Sequence, residues 1–181
     1  MTLSRIILGF LTVRPMTGYD LMAAFATSAA YFWHADKAQI YRTLARLVEE
    51  GLARTEIVTG TNAPDRVVHH ITDQGYEAMR AWLVSPPARQ VPRDAFIARM
   101  FFAGELDDPE LVAVVDARMA EATAARDALR VIRAQTPRPD VRSDRSGWLR
   151  SMTLDQGLRE HDDHIEWLEA LRSGLGAETR S

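Results

Sequence analysis

Gln39, Arg42 and Arg46 fall at i, i+3 and i+7, a spacing that lines side chains along one face of a helix. A long amide and two guanidiniums on a rigid rod suit DNA. A guanidinium bonds bidentately to guanine or clamps a phosphate, an amide reads adenine, and a helix fits the width of the major groove. The same residues are also the makings of an ordinary solvated surface, so the stripe gains meaning only from what carries it. Its carrier is the stretch from Lys37 to Gly51, whose other side holds Ile40, Leu44, Leu47 and Val48 at three-and-four spacing, with Gly51 as a stop. Asp36 is the expected N-cap, which sets Lys37 and Gln39 at the first turn, where they can approach a duplex.

Other chemistry finds less support. His161, Asp162, Asp163 and His164 place two imidazoles at i, i+3 beside acids, a pattern that can ligate a metal. A four-coordinate site needs further ligands, the chain has no cysteine, and the tract lies on the polar side of an amphipathic helix, so an ion-paired surface is the simpler reading. No serine stands in an evident triad arrangement and no glycine-rich phosphate loop occurs. The expectation is a non-enzyme with no catalytic residues, no metal and no cofactor.

At 181 residues and 46% hydrophobic content, the chain can build one or two compact domains with real cores. The absence of cysteine fits a reducing cytosol. The opening apolar run is short, lacks a small-residue cleavage site and ends at Arg14-Pro15, and no apolar stretch approaches the roughly 20 residues that span a bilayer. A cytoplasmic protein without a membrane partner is expected. Net charge is −3, and over residues 1–84 basic and acidic residues balance, so any DNA contact must come from a local patch. Nearly all the positive charge is arginine, Lys37 being the only lysine.

From the amino terminus, Thr2 or Ser4 can cap a first helix with Ile6, Ile7, Phe10 and Leu11 on its apolar face, closed by Pro15. Met16 to Gly18 reads as a turn. A second short helix follows, with Tyr19, Leu21, Met22 and Phe25 available for packing and Asp20 near its positive start. After Gly51 the period becomes extended: Leu52 to Val58 and Arg66 to Ile71 flank a turn-rich tip, Gly60 to Asp65, and so predict a β-hairpin. Three helices and a hairpin make a winged helix-turn-helix, whose third helix enters the major groove while the hairpin rests on the backbone or minor groove. Arg54 and Arg66 on the strands, with His69 and His70 nearby, are second-rank phosphate contacts. Thr72 starts a fourth helix carrying Tyr76, Met79 and Leu83 on one face and Trp82 beside them, ended by Pro86-Pro87.

The series ILGFL, PMTGYDL, QIYRTLARLVEEGL and HITDQGYEAMRAWL, from Thr2 to Leu83, resembles the PadR family of bacterial transcriptional regulators. The resemblance implies a homodimeric repressor with a winged-helix head. It also implies that Tyr41, the tyrosine of the YRTL block, approaches the DNA backbone, although its place on the helix alone would make it half core.

Beyond a Pro-rich linker near Ser85 to Pro92 the chain reads as wholly helical. Asp94 caps a short apolar helix with Phe96, Ile97, Met100, Phe101 and Phe102. Asp108 before Pro109 is the expected cap of a long helix that runs to Arg133, and a last helix carries Trp148, Met152, Leu158, Ile165, Leu168 and Leu171 up to Gly174 and Gly176. The two long helices are expected to pair antiparallel, and their apolar stripes suit a core or a subunit interface. The blocks DAFIARMFFA and EWLEAL are similar to the longer PadR subgroup, whose larger carboxy-terminal helical domain dimerises. The fold class expected is therefore mainly α. Residues 1–84 form a winged helix-turn-helix domain with a two-stranded hairpin wing, and residues 85–181 a helical dimerisation domain. The expected partners are a palindromic double-stranded operator, a second copy of the chain and, because some PadR-like proteins respond to phenolic compounds, a small aromatic effector. Phe96, Met100, Trp148 and Met152 are candidates to line its site, against the competing reading that they are ordinary packing. The rival function is a winged-helix protein-interaction module without sequence-specific DNA binding.

Overall fold

The computed structural model describes residues 2–29, 31–60, 64–87 and 94–177, and the chain divides into two compact units at Arg89/Gln90. Residues 88–93, which hold most of the expected linker, and residues 61–63 of the expected hairpin tip lie outside the described residues.

The first unit is built on α1 (Thr2–Val13), α2 (Gly18–Ala24) and α3 (Lys37–Glu49). Ile7, Leu8 and Leu11 of α1, Leu21 of α2, and Ile40, Leu44 and Leu47 of α3 are buried together, so the stripe read from the sequence is the inner face of α3. Thr17 caps α2 reciprocally with Asp20: the Thr17 Oγ1 accepts from the Asp20 N–H at 3.0 Å, and the Thr17 N–H donates to Asp20 Oδ2 at 2.9 Å. That backbone hydrogen bond, the Thr17 hydroxyl, and the nearby Arg14 and Arg66 hold the Asp20 carboxyl below the usual carboxylate range. α2 runs on into a π-helical turn, Phe25–Ala29, that buries Phe25 against Phe10.

The segment Met16–Thr17, expected as a turn, is a strand, β1. It pairs antiparallel with β3 (Arg66–Ile71), which pairs with β2 (Ala53–Val58), giving a three-stranded sheet in the order β1-β3-β2 rather than a two-stranded hairpin alone. Two residues are too few to show alternation, and only their partners on β3 define them as a strand. Gly51 turns the chain from α3 into β2 at φ +70°, a conformation that favours glycine. α4 (Asp73–Val84), capped by Thr72, buries Met79 but leaves Tyr76, Trp82 and Leu83 exposed.

In the second unit, α5 (Ala95–Phe102) starts where the Asp94 Oδ1 accepts from the N–H groups of Phe96 and Ile97. A 3₁₀ turn, Ala103–Glu105, leads to α6 (Asp108–Gln135). Its cap is Asp107 rather than Asp108, in a reciprocal pair with Glu110, and Pro109 still sits in the first turn. α7 (Arg145–Ala177) passes through Gly174 without ending there. Three cross-helix pairs run in opposite senses along α6 and α7: Asp116 with Arg172 at 2.8 Å, Arg130 with Asp162 at 3.2 Å, and Arg133 with Asp155 at 2.7 Å. The helices are therefore antiparallel, and Val115, Ala122, Ile165 and Leu168 form the core between them. Among the described residues no helix is long and apolar enough to cross a membrane.

Candidate nucleic-acid interface

The first turn of α3 is fixed by a capping box: Asp36 Oδ1 accepts from the Gln39 N–H at 2.7 Å, and Gln39 Oε1 accepts from the Asp36 N–H at 3.1 Å. This uses the Gln39 side-chain oxygen, so the amide expected to read a base also holds the helix end. Arg46 also leaves the expected stripe. Its Nη2 donates to the buried Ser4 Oγ at 2.6 Å and its Nε lies 3.6 Å from Glu50, tying α3 to α1 and to its own last turn. Of the three residues at i, i+3 and i+7, Arg42 alone stands exposed with no side-chain hydrogen bond or ion pair among the described residues.

A different set faces outward. Lys37 Nζ lies 6.0 Å from the centre of the Tyr41 ring, and Tyr41 is 45% exposed. Arg42 follows about 100° around the helix axis, with the exposed Ala38 and Ala45 between them in projection. The ring rests on the start of α2 because residue 18 is glycine; a methyl group there would lie 2.6 Å from Tyr41 Cζ. Tyr19, expected to pack, is 75% exposed on the same short helix. Sequence periodicity missed Ala38, Ala45 and Tyr19, although two alanines between long polar residues are what lets a helix backbone approach another surface closely.

On the wing, Arg54 and Arg66 are exposed on one face of the sheet but near its opposite ends, about 13 Å apart along the strands. Between them His70 Nε2 lies 2.8 Å from Glu56 Oε2. His69 points to the other face and is buried between Met16 and Thr55. Burial pushes its pKa down, against an opposing hydrogen bond to the Met16 backbone, so it is neutral at pH 7 and supplies no phosphate contact.

The four effector candidates fall in two places. Phe96 and Met100 pack on the α6–α7 core, where Phe96 meets the Trp167 ring edge-on at 6.1 Å and lies 5.6 Å below the Arg118 guanidinium. Trp148 and Met152 are half-buried toward the other end of α7, about 28 Å and about 22 Å along the helix from Trp167. An open groove of about 620 Å³ beside α5 is lined by Ala98, Met100, Phe102, Ala103, Leu106 and Val114, so it takes in one of the four. His164 stacks on Trp167 at 5.6 Å, and burial and Arg118 lower its pKa. Among the described residues no group of three or more His, Asp or Glu is gathered as a metal site.

Residues 7–81 match the transcriptional regulator PadR-like family, and residues 92–175 match the virulence activator alpha C-terminal family. The chain is 28% identical over 186 residues to the probable transcriptional regulator Rv1176c of Mycobacterium tuberculosis, covering 97% of this chain and 98% of that one. It is 23% identical to the negative transcriptional regulator PadR of Bacillus subtilis, covering 91% and 92%. The crystal structure of B. subtilis PadR with operator DNA superposes with a TM-score of 0.84 at 22% identity, covering 97% and 99%, and its complex with p-coumaric acid with 0.77 at 23%, covering the same shares. These relatives are regulators, not enzymes. A winged-helix head that is a PadR-like domain, followed by a helical unit that is a virulence activator alpha C-terminal domain, makes the chain a transcriptional regulator of the PadR type.

Proposed function

We propose that the chain is a repressor that binds a palindromic operator as a homodimer. The observation that carries this is the outer face of α3, where Lys37, Tyr41 and Arg42 stand exposed around two alanines on a helix whose first turn is locked by a capping box. Such a face offers a phosphate contact, a hydroxyl and a base-reading guanidinium with the backbone close behind. Arg54 and Arg66 extend the contact along the wing to flanking phosphates. The B. subtilis relative, a negative transcriptional regulator seen in complex with operator DNA, supports the reading. Residues 1–84 are the DNA-binding part and residues 85–181 the dimerising part, which sets two α3 helices about 34 Å apart, one turn of DNA.

The p-coumaric acid complex of that relative supports a small aromatic effector as well. In this chain the groove beside α5, with Met100 and Phe102 on its walls and Arg99 and Glu105 as polar lining, is the place for it. An effector that releases DNA must bind one spacing of the two heads better than the other.

The test is fluorescence anisotropy of the full chain against DNA from upstream of its own reading frame and against an unrelated duplex, across a salt series. Saturable preference for the upstream DNA, weakening steeply as salt rises, is the expected result. Equal weak binding to both duplexes, or binding indifferent to salt, counts against it and favours a protein-binding winged helix.

A further inference from the structure

We propose that Gly18 is a positioning residue for DNA binding: it keeps the start of α2 bare so that the Tyr41 ring seats on it, and the seated ring holds the Tyr41 hydroxyl and the Lys37 ammonium ready for a phosphate. The inference rests on the outer face of α3 being the DNA face, and it gives a task to a residue that is itself buried.

Nothing in the backbone asks for glycine at position 18. Among the described residues Gly51 alone has a positive φ, so Gly18 lies in a conformation open to any side chain. It is the first residue of α2, and alanine is the better helix former. What excludes a side chain is one neighbour. A methyl group on residue 18 would lie 2.6 Å from Tyr41 Cζ, 2.7 Å from its Cε1 and 2.9 Å from its hydroxyl oxygen, and these are the three nearest atoms it would meet. All are well inside the separation at which such atoms attract.

One partner must give, and the two are unequally held. The backbone at residue 18 is fixed from both sides: Thr17 pairs with Val68 across β1 and β3, and the Thr17–Asp20 capping box closes the first turn of α2. Tyr41 offers only the far end of a side chain, on a residue that is 45% exposed. A methyl group at position 18 therefore turns the ring out and leaves the fold in place.

The ring does not move alone. Lys37 precedes Tyr41 by four residues, so the two are neighbours on the helix surface, and its Nζ stands 6.0 Å from the ring centre, within cation–π reach. The seated hydroxyl lies where α2 starts against α3. In a helix-turn-helix the first of these crosses the DNA backbone and the second enters the groove. A hydroxyl and an ammonium already fixed there need no ordering when they meet a phosphate, whereas an unseated ring presents both in many orientations and loses affinity.

The test compares full-length wild type with Gly18→Ala, Tyr41→Ala and the double variant. Binding is read by anisotropy against the duplex from upstream of the reading frame, and stability by urea denaturation. Ring position is read from the NMR signal of the ε-methylene in chains grown on isotopically labelled lysine, a single signal because Lys37 is the only lysine. Gly18→Ala is expected to bind about tenfold more weakly, the size of one lost charge-assisted hydrogen bond, without loss of stability. Tyr41→Ala binds at least as weakly, and adding Gly18→Ala to it costs nothing further. The lysine signal in Gly18→Ala moves from its wild-type position toward that in Tyr41→Ala. Undiminished binding by Gly18→Ala, an unmoved lysine signal in it, or a loss of affinity or stability that persists when Gly18→Ala is added to Tyr41→Ala each overturns the proposal and leaves the operator reading standing. A wild-type chain that binds neither this duplex nor an unrelated one overturns the reading of α3 as the DNA face, and the role of Gly18 with it.

Discussion

Arg42 and Arg46 sit four residues apart on one helix and look alike in the sequence, but their surroundings give them different work. Arg42 is exposed with no ion pair among the described residues, whereas Arg46 reaches the Ser4 hydroxyl in the seam between α1 and α3. Arg42→Ala is therefore expected to weaken operator binding by about 1 to 3 kcal/mol while leaving the melting temperature unchanged. Arg46→Ala strands the buried Ser4 hydroxyl and is expected to lower stability by about 1 to 2 kcal/mol, read from urea denaturation. Equal effects of the two changes on DNA binding, with no loss of stability in the second, would show that both read DNA. The helical wheel could not separate them, because a guanidinium at the edge of an apolar stripe can point either way and only the neighbour on α1, 42 residues back, decides it. Gln39 has a second, local task that the stripe alone does not show: Asp-x-x-Gln is a capping-box pattern, and the cap engages its side-chain oxygen.

At the scale of elements, the helices were legible because their apolar periods are long and their caps are explicit, as with Asp36, Thr72 and Asp94. Asp36→Ala should cost about 1 kcal/mol of stability, measured in urea, since two reciprocal bonds at the start of α3 are lost. Strand β1 was not legible, for its two residues gain their identity from His69 and Val68 on a strand 50 residues away. That pairing gives the sheet a pH dependence. The folded-state pKa of His69 lies below its ordinary 6.5, chiefly through burial and further through the adjacent His70, so the unfolded chain binds the proton more readily. Stability from this group is fully present above pH 6.5 and is lost as pH falls from there through the lower folded-state value. Thermal melts at pH 7.5 and 5.5 should show a smaller acid-induced drop for His69→Gln than for wild type; an equal drop would place the acid sensitivity elsewhere.

For the whole molecule, the balanced charge of the head means that the proposed dimer would draw its operator affinity from geometry repeated twice rather than from a basic field. A chain truncated after Gly104 lacks α6 and α7, and it is expected to be monomeric and to lose most of its operator affinity, since one head alone forfeits the gain of two linked contacts. Gel filtration and anisotropy check this, and a truncated dimer that binds as tightly as the full chain would move the dimer interface into the head. The division into two units was visible in the proline-rich stretch and in the change from mixed to wholly helical periodicity. The effector candidates were less legible, because aromatic and Met residues at helical spacing look the same whether they face a core alone, as Phe96 does, or a core and a groove together, as Met100 does.

Lys37 has a practical consequence. It is the only lysine of the chain, and it is exposed at the first turn of α3 beside Tyr41. Amine-directed reagents thus have one side-chain target, on the face proposed to meet DNA. Acylation of that amine would report directly on occupancy of α3, being slowed by bound operator, and aldehyde fixation of the complex would depend on this one nitrogen and the chain's terminal amine. A Lys37→Arg chain would bind its operator nearly normally and yet be captured poorly by such fixation.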